Sequence, residues 1–215
     1  MMRPELQAGD IVFFSAQHKP GLGGWLSRTI AWMTARKNAE PPTMATHVGM
    51  MRDPVKICEA LSRVTIQPLS ERIEGNHIEI YRPFILIADT AATSALRGCL
   101  TKKCDKWEGR KYGYLKIAAQ ALDGLLGEAY LFRRLCFMNR YPICSWLVAY
   151  GYEKCVAKII KALPRLADKP DWTVKPFFGV EPNAATPDDL HDACQNPARF
   201  VKLWTHDPHL EGATE

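Results

Sequence analysis

The chain of 215 residues lacks several patterns that would assign it to a well-marked class. No stretch approaches the about 18 to 20 uncharged apolar residues of a membrane-spanning helix, which predicts no membrane span. The segment Met1–Leu6 has no apolar core of the kind found in secretory signals. We therefore expect a soluble, cytoplasmic protein, with export by a non-classical route left open.

Motifs for metal and phosphate binding are also missing. The chain has no C-x-x-C pair and no H-E-x-x-H sequence. Cys99 and Cys104 are five residues apart on a predicted helix, about 140° around its axis, so they do not share a face. The glycine-rich segment Gly21–Gly24 lacks the lysine and the strand–helix context of a phosphate loop. We expect neither a metal nor a cofactor.

Charge is present in ordinary amounts and without a strong bias. Charged residues make up 24% of the chain, and the formal net charge is +5. The basic residues are scattered along the sequence, which does not favour nucleic-acid binding. The densest cluster is Arg133, Arg134 and Arg140. It fits a solvated helix face, or a site for an anionic lipid or substrate headgroup.

Cysteine usage points to free thiols. The chain has seven cysteines, an odd number, so disulfides cannot pair them all. Cys58, Cys99, Cys136 and Cys155 lie among apolar or helical neighbours, as buried thiols do. This usage is typical of a reducing compartment.

The pattern of elements predicts one α+β domain over residues 1–215. Hydrophobic residues make up 47% of the chain, enough for a sizeable core. Closely spaced strands imply an antiparallel sheet, because parallel pairs need long crossovers. The predicted strands are Ile11–Phe14, Thr46–Arg52, Lys56–Leu61, Val64–Leu69, His77–Arg82 and Phe200–Trp204. The predicted helices are Trp25–Thr34, Thr90–Glu108, Ile143–Tyr150 and Cys155–Leu163, with another starting at Thr186.

Two further segments belong to this domain. Residues Leu115–Met138 are long and unusually apolar, and we expect two helical pieces that bend at the glycines between them. They form either a core helix pair, or a lid or lipid-facing surface. The last ten residues are expected to be a loose tail.

Cys144 is the best candidate for a nucleophile. Pro142 favours an extended approach and the residues from Ser145 onward suit a helix, which places Cys144 near a helix N-terminus. Backbone N–H groups there favour a thiolate over a thiol and can hold an oxyanion. The alternative is a structural thiol in an apolar run.

His47 and Glu59 are candidates for the base and its orienter. His47 lies in a strand of alternating pattern, and Glu59 lies on the next strand across a turn at Asp53-Pro54. A hairpin would let both side chains face one pocket, where Glu59 would select the histidine tautomer. The alternatives are a structural histidine and an exposed strand glutamate.

These positions resemble a known group of enzymes. The chain is similar to the permuted branch of the NlpC-type papain-like hydrolases, the YiiX/YaeF-like proteins, related to lecithin:retinol acyltransferase-like enzymes. The matching segments, in the family's order, are Gly9–Phe13, Thr46–Met50, Glu59–Ala60, Ile143–Val148 and Thr186–Leu190. Histidine before cysteine is the reverse of the papain order, as in a circular permutation.

The resemblance implies a circularly permuted papain-like fold, with a small antiparallel sheet or barrel against helices. It implies Cys144 as nucleophile, His47 as base and Glu59 as the third polar residue. It also implies a tyrosine near the oxyanion, for which Tyr112 is the best match and Tyr114 a rival. The chain departs from the family at Trp146 and in its long apolar stretch.

Three functions follow as hypotheses. The first is a cysteine hydrolase that cleaves an amide, peptide-like and of cell-wall type, or an acyl bond, through an acyl-enzyme. The second is an acyltransferase or lipase-like enzyme acting on lipid-linked acyl groups. The third is a module that binds lipid or peptidoglycan fragments without turnover. Fold analogy alone does not choose a substrate.

Overall fold

The structure is a computed structural model, which describes residues 4–15, 45–88, 90–111, 143–169, 172 and 176–208. These residues form six strands and four α-helices. The strands are β1 (Ile11–Ser15), β2 (His47–Met51), β3 (Lys56–Ala60), β4 (Val64–Pro68), β5 (His77–Pro83) and β6 (Phe200–His206). The helices are α1 (Ser70–Ile73), α2 (Ala91–Trp107), α3 (Cys144–Ala162) and α4 (Pro187–Cys194). Two short 3₁₀ turns cover Phe84–Leu86 and Pro164–Leu166.

The strands form a single six-stranded sheet in the order β4-β3-β2-β1-β5-β6. Every neighbouring pair is antiparallel. The coarse α+β prediction, with an antiparallel sheet packed against helices, is therefore confirmed. The predicted strands agree with the observed ones to within two residues at each end, because alternation and turn residues mark them clearly.

The sheet has two buried faces, as strand alternation requires. One face packs against α2 and α3 in the main core, to which the strands contribute Ile11, Phe13, Val48, Met50 and Cys58. The opposite face carries a smaller cluster made of Val12, Phe14, Met51, Ile57, Leu69, Ile78 and Ile80.

The turn before β1 links three distant parts of the molecule. Gly9 has φ +94° and donates its N–H to the Met51 carbonyl at 2.8 Å. The Tyr152 hydroxyl of α3 donates to the Gly9 carbonyl. The buried Asp10 carboxylate accepts both Nε and Nη2 of Arg82 at 2.7 Å. A side chain at Gly9 would be strained and crowded, since its Cβ would lie 2.6 Å from Leu86 Cδ1.

Helix α3 corrects one sequence prediction. Two helices, Ile143–Tyr150 and Cys155–Leu163, were expected, but a single helix runs from Cys144 to Ala162. Gly151 is buried inside it, where a Cβ would lie 3.6 Å from the Trp107 ring and 3.7 Å from Met50 Cε. These are ordinary contact distances, and the helix continues through the glycine.

The cysteines require a second correction. Cys99 and Cys155 were expected to be free thiols, but they form a disulfide between α2 and α3 with Cα atoms 5.7 Å apart. This pairing removes their support for a reducing compartment. Cys58 is a free, buried thiol as expected, and Cys136 lies outside the described residues.

Several predictions concern segments outside the described residues. These are the helix Trp25–Thr34, the apolar stretch Leu115–Met138, the arginine cluster at 133, 134 and 140, and the tail beyond residue 208. Within the described part of the chain, none of the helices has the length and hydrophobicity needed to cross a membrane.

Candidate functional site

Cys144 is the first residue of α3. The preceding Ile143 is extended (φ −107°, ψ 166°) and has no polar side chain with which to cap the helix. The first-turn N–H groups have no intrahelical acceptor, and they lie at the positive end of the helix dipole. The sulfur therefore lies where a thiolate is favoured and where an adjacent oxyanion would find donors.

The start of α3 is fixed by the C-terminal part of the chain. Ser145 donates its hydroxyl to the Ala185 carbonyl at 2.6 Å, and both residues are buried. Ala185 precedes Thr186, the N-cap of α4, where a capping box with Asp189 closes the first turn. The helix start predicted from the Thr186-Pro187 sequence is thus present, and it holds the residue next to the cysteine.

Strand alternation places the His47 side chain on the sheet face of Phe14 and Glu59, because His47 pairs with Phe14 and Gly49 pairs with Glu59. Helix α3 packs against the opposite face. His47 is the first residue of β2 and Cys144 is the first residue of α3. The contact between them is therefore made at the ends of the two elements.

The His47 imidazole has partners on both sides. Its Nε2 lies 2.8 Å from Oε2 of Glu59, and its ring is also hydrogen-bonded to the Cys144 side chain. With Nε2 facing the carboxylate, Nδ1 is the ring nitrogen available to the sulfur. Glu59 thereby selects the Nε2–H tautomer, as an orienting carboxylate does in a triad.

The pKa of His47 reflects this position. Burial lowers it, but the hydrogen bond and charge of Cys144, followed by those of Glu59, outweigh burial and raise the pKa from 6.5 to about 9. The folded-state pKa exceeds the unfolded one, so this contribution to folding stability is complete below about pH 6.5. It is lost as the pH rises through about 9. The imidazolium form is favoured at neutral pH.

Glu59 is completely buried, and its second oxygen is also engaged. Gln67 donates Nε2 to Oε1 at 2.6 Å. The guanidinium of Arg72 approaches the same oxygen, with Nε at 2.8 Å in a charge contact rather than an aligned hydrogen bond. Burial raises the pKa of Glu59, but His47, Arg72 and Gln67 together lower it below its usual value. The carboxylate therefore stays ionised despite full burial.

Phe14 also packs next to the His47 ring. Its ring lies 5.7 Å from the His47 ring, and the Arg72 guanidinium lies 5.3 Å from the Phe14 centroid. Arg72 therefore contacts two neighbours of His47, the Glu59 carboxylate and the Phe14 ring. The packing limits the freedom of the imidazole to rotate.

The structure thus brings together three of the four predicted site residues, Cys144, His47 and Glu59. Tyr112 and its rival Tyr114 lie outside the described residues. The sequence reasoning missed Gln67 and Arg72. Alternation in β4 could have indicated Gln67. Gln67 pairs with Ile57, which lies on the same sheet face as Glu59, so Gln67 and Glu59 share that face. Arg72 lies in a four-residue helix, and no sequence pattern indicated its contact.

A second carboxylate–histidine pair lies in the same sheet. Glu79 on β5 contacts Nε2 of His191 on α4 at 2.9 Å, and it also accepts Tyr81 and Lys202 at 2.7 and 2.9 Å. Burial raises the pKa of Glu79, but these partners lower it far below its usual value. This pair attaches α4 to the sheet. No group of three or more potential metal ligands occurs in the described segments.

No family model, curated protein or solved structure matches this chain. The functional argument therefore rests on the geometry of the site.

Proposed function

We propose that the protein is a cysteine hydrolase that cleaves an amide or acyl bond through an acyl-enzyme intermediate. The observation that carries the proposal is the His47 imidazole, bonded at once to the buried Glu59 carboxylate and to a cysteine at a helix N-terminus. Each contact has a role in nucleophilic catalysis: activation of the thiol, orientation of the base and stabilisation of the oxyanion.

The reaction begins with a thiolate–imidazolium pair. The Cys144 sulfur attacks the substrate carbonyl carbon, and N–H groups of the first turn of α3 stabilise the oxyanion. His47 gives its Nδ1 proton to the leaving nitrogen or oxygen as the bond to carbon breaks, which leaves a thioester. Neutral His47 then takes a proton from water, and the hydroxide equivalent attacks the thioester. The acid is released and the thiolate returns.

The arrangement also supports a finer proposal about the fold. A cysteine at the start of a helix, set against a sheet whose strand carries the histidine, is the arrangement of papain-like hydrolases. The histidine precedes the cysteine in the chain, which fits a circularly permuted version of that fold. Peptide-like or lipid-linked acyl groups are the proposed substrates, in line with the resemblance of the sequence motifs.

Thiol labelling tests the mechanism directly. We expect iodoacetamide to alkylate Cys144 near pH 7 faster than Cys58 or Cys194, measured by peptide mass spectrometry. Hydrogen bonding to Cys104, then burial, raises the pKa of Cys58, and burial raises that of Cys194 well above its usual value. A small reagent is needed because Cys144 is only 5% exposed. Labelling of Cys144 no faster than these two thiols would refute the proposal.

Measurement of turnover in substituted proteins is a second test of the mechanism. We expect Cys144→Ala to abolish hydrolysis of activated thioesters and esters, and Cys194→Ala, a matched loss of a buried thiol, to retain it. Activity that survives in Cys144→Ala would exclude the mechanism. An inert Cys144 together with a co-purified ligand in native mass spectrometry would indicate a binding module instead.

A further inference from the structure

Basic residues that are far apart in the sequence meet on one face of the protein. Helix α2 contributes Lys103 and Lys106, with Arg110 just beyond its end, and α3 contributes Lys154 and Lys158. The Cys99–Cys155 disulfide holds the two helices side by side. We call these five residues the basic face. Lys106, Lys154 and Lys158 are exposed, and Lys103 and Arg110 are half-buried.

Aromatic rings position part of this face. The Lys103 ammonium lies 5.7 Å from the Trp107 ring and 5.8 Å from the Tyr150 ring, and the Lys154 ammonium lies 5.2 Å from Tyr150. Tyr150 in turn stacks on Trp146, with centroids 4.4 Å apart. Two cations from different helices therefore share one ring, which holds their charges close together.

The charges on the basic face repel one another. Burial lowers the pKa of Lys103, and the next largest influences, from Lys106, Lys154, Lys158 and Arg110, are all positive charges that lower it further. Three acids lie on or next to the same helices. Asp105 is engaged by Arg52 at 3.0 Å, while Glu108 and Glu153 are outweighed by the five cations. Such a field attracts an anionic partner.

The composition of the basic face favours a lipid surface over a nucleic acid. Four of its five cations are lysines, flexible point charges that suit the diffuse negative charge of a bilayer. Binding of single-stranded nucleic acid uses open aromatic rings for base stacking. Here Trp107 is only 3% exposed, and lysines lie over both it and Tyr150.

We propose that the basic face docks the protein on membranes that contain anionic phospholipids. This interaction does not depend on the proposed hydrolase activity. It would hold α3, the helix that begins at Cys144, against the lipid headgroups. The attachment is electrostatic and peripheral.

Vesicle co-sedimentation tests this proposal with the full chain. We expect binding to phosphatidylcholine vesicles that contain phosphatidylglycerol, little binding to pure phosphatidylcholine, and a steep loss of binding as salt screens the charges. The Lys154→Glu/Lys158→Glu variant should bind about 30-fold more weakly or worse. The milder Lys154→Gln/Lys158→Gln variant should fall between it and the wild type.

The matched control is Lys56→Glu/Lys169→Glu, which changes the net charge equally at two exposed lysines outside the basic face. We expect it to bind like the wild type, and circular dichroism should show all variants folded. Equal weakening by the control variant would overturn the proposal. So would the absence of binding to anionic vesicles, or binding of a single-stranded oligonucleotide in preference to them.

Discussion

Replacing Glu59 with glutamine tests the central relation of the site. Glutamine keeps the shape of the side chain, but it removes the negative charge that faces the His47 imidazolium at 2.8 Å. It also leaves Arg72 as an uncompensated positive charge beside the histidine. Both changes disfavour the imidazolium, so we expect the pKa of His47 to fall from about 9.

The size of the effect follows from Coulomb's law. Two unit charges about 4 Å apart interact by about 4 kcal/mol at an effective dielectric constant of about 20. The hydrogen bonds that remain and relaxation of the site offset part of this energy. We therefore expect the imidazolium to lose about 2 to 3 kcal/mol of stabilisation. The pKa of His47 would then fall to about 7, by about 2 units. The protonated fraction of His47, and with it the population of the proposed thiolate–imidazolium pair, should then fall about twofold at pH 7 and about tenfold at pH 8.

The assay is the rate of Cys144 alkylation by iodoacetate as a function of pH, because this anionic reagent reacts faster while the neighbouring imidazolium is charged. The upper limb, which reports the histidine, should move toward neutral pH in Glu59→Gln. Glu79→Gln is the matched control, because it removes a carboxylate that contacts His191 at 2.9 Å in the same sheet. It should leave the Cys144 profile in place. An unmoved profile in Glu59→Gln, or an equal shift in Glu79→Gln, would refute the reasoning.

Three further changes test the surroundings of the site. Arg72→Gln should move the upper limb of the Cys144 pH profile up by about one pH unit, because it removes a positive charge near the imidazolium. Arg72→Lys should largely restore the wild-type profile. An unchanged profile in Arg72→Gln would exclude an electrostatic role for Arg72. Gly9→Ala should lower the free energy of unfolding by about 2 to 4 kcal/mol in urea titrations, from left-handed backbone strain plus crowding. Gly109→Ala, with φ +77° and open space, should lose only about 1 kcal/mol, and equal losses would contradict the crowding argument. The Cys99–Cys155 disulfide joins residues 56 positions apart in the sequence. Its reduction should lower the free energy of unfolding by up to about 4 kcal/mol, measured by unfolding with and without reductant. Equal stability under the two conditions would argue against the pairing.

Local signals predicted most of the sheet. Alternation and the Asp53-Pro54 turn located β2 and β3, and the Thr186-Pro187 sequence located the start of α4, because caps and turns depend on neighbouring residues. The region after Ile143 was predicted as two helices, but a single helix runs from Cys144 to Ala162. Gly151 and Tyr152, which lie between the two predicted pieces, are buried in the core, and such packing overrides weak local propensity.

Contacts between distant segments could not be predicted in the same way. His47 and Glu59 were located because one hairpin brings them together. Arg72 reaches Glu59 through the placement of a four-residue helix that has no periodicity to detect. The basic face likewise draws on Lys103 and Lys154, which look scattered in the sequence and become neighbours only when α2 packs on α3.

The order of the site residues has a consequence for synthesis of the protein. His47 and Glu59 are 12 residues apart in a hairpin that can pair as soon as it leaves the ribosome. Cys144 follows His47 by 97 residues, and the carbonyl that fixes its helix belongs to Ala185, a further 41 residues on. At about 5 to 20 residues per second, His47 and Glu59 therefore exist for several seconds before Cys144 has been synthesised. If Cys144 acts as proposed, it becomes a competent nucleophile only after the segment that contains Ala185 has been made, because the Ala185 carbonyl fixes the start of its helix.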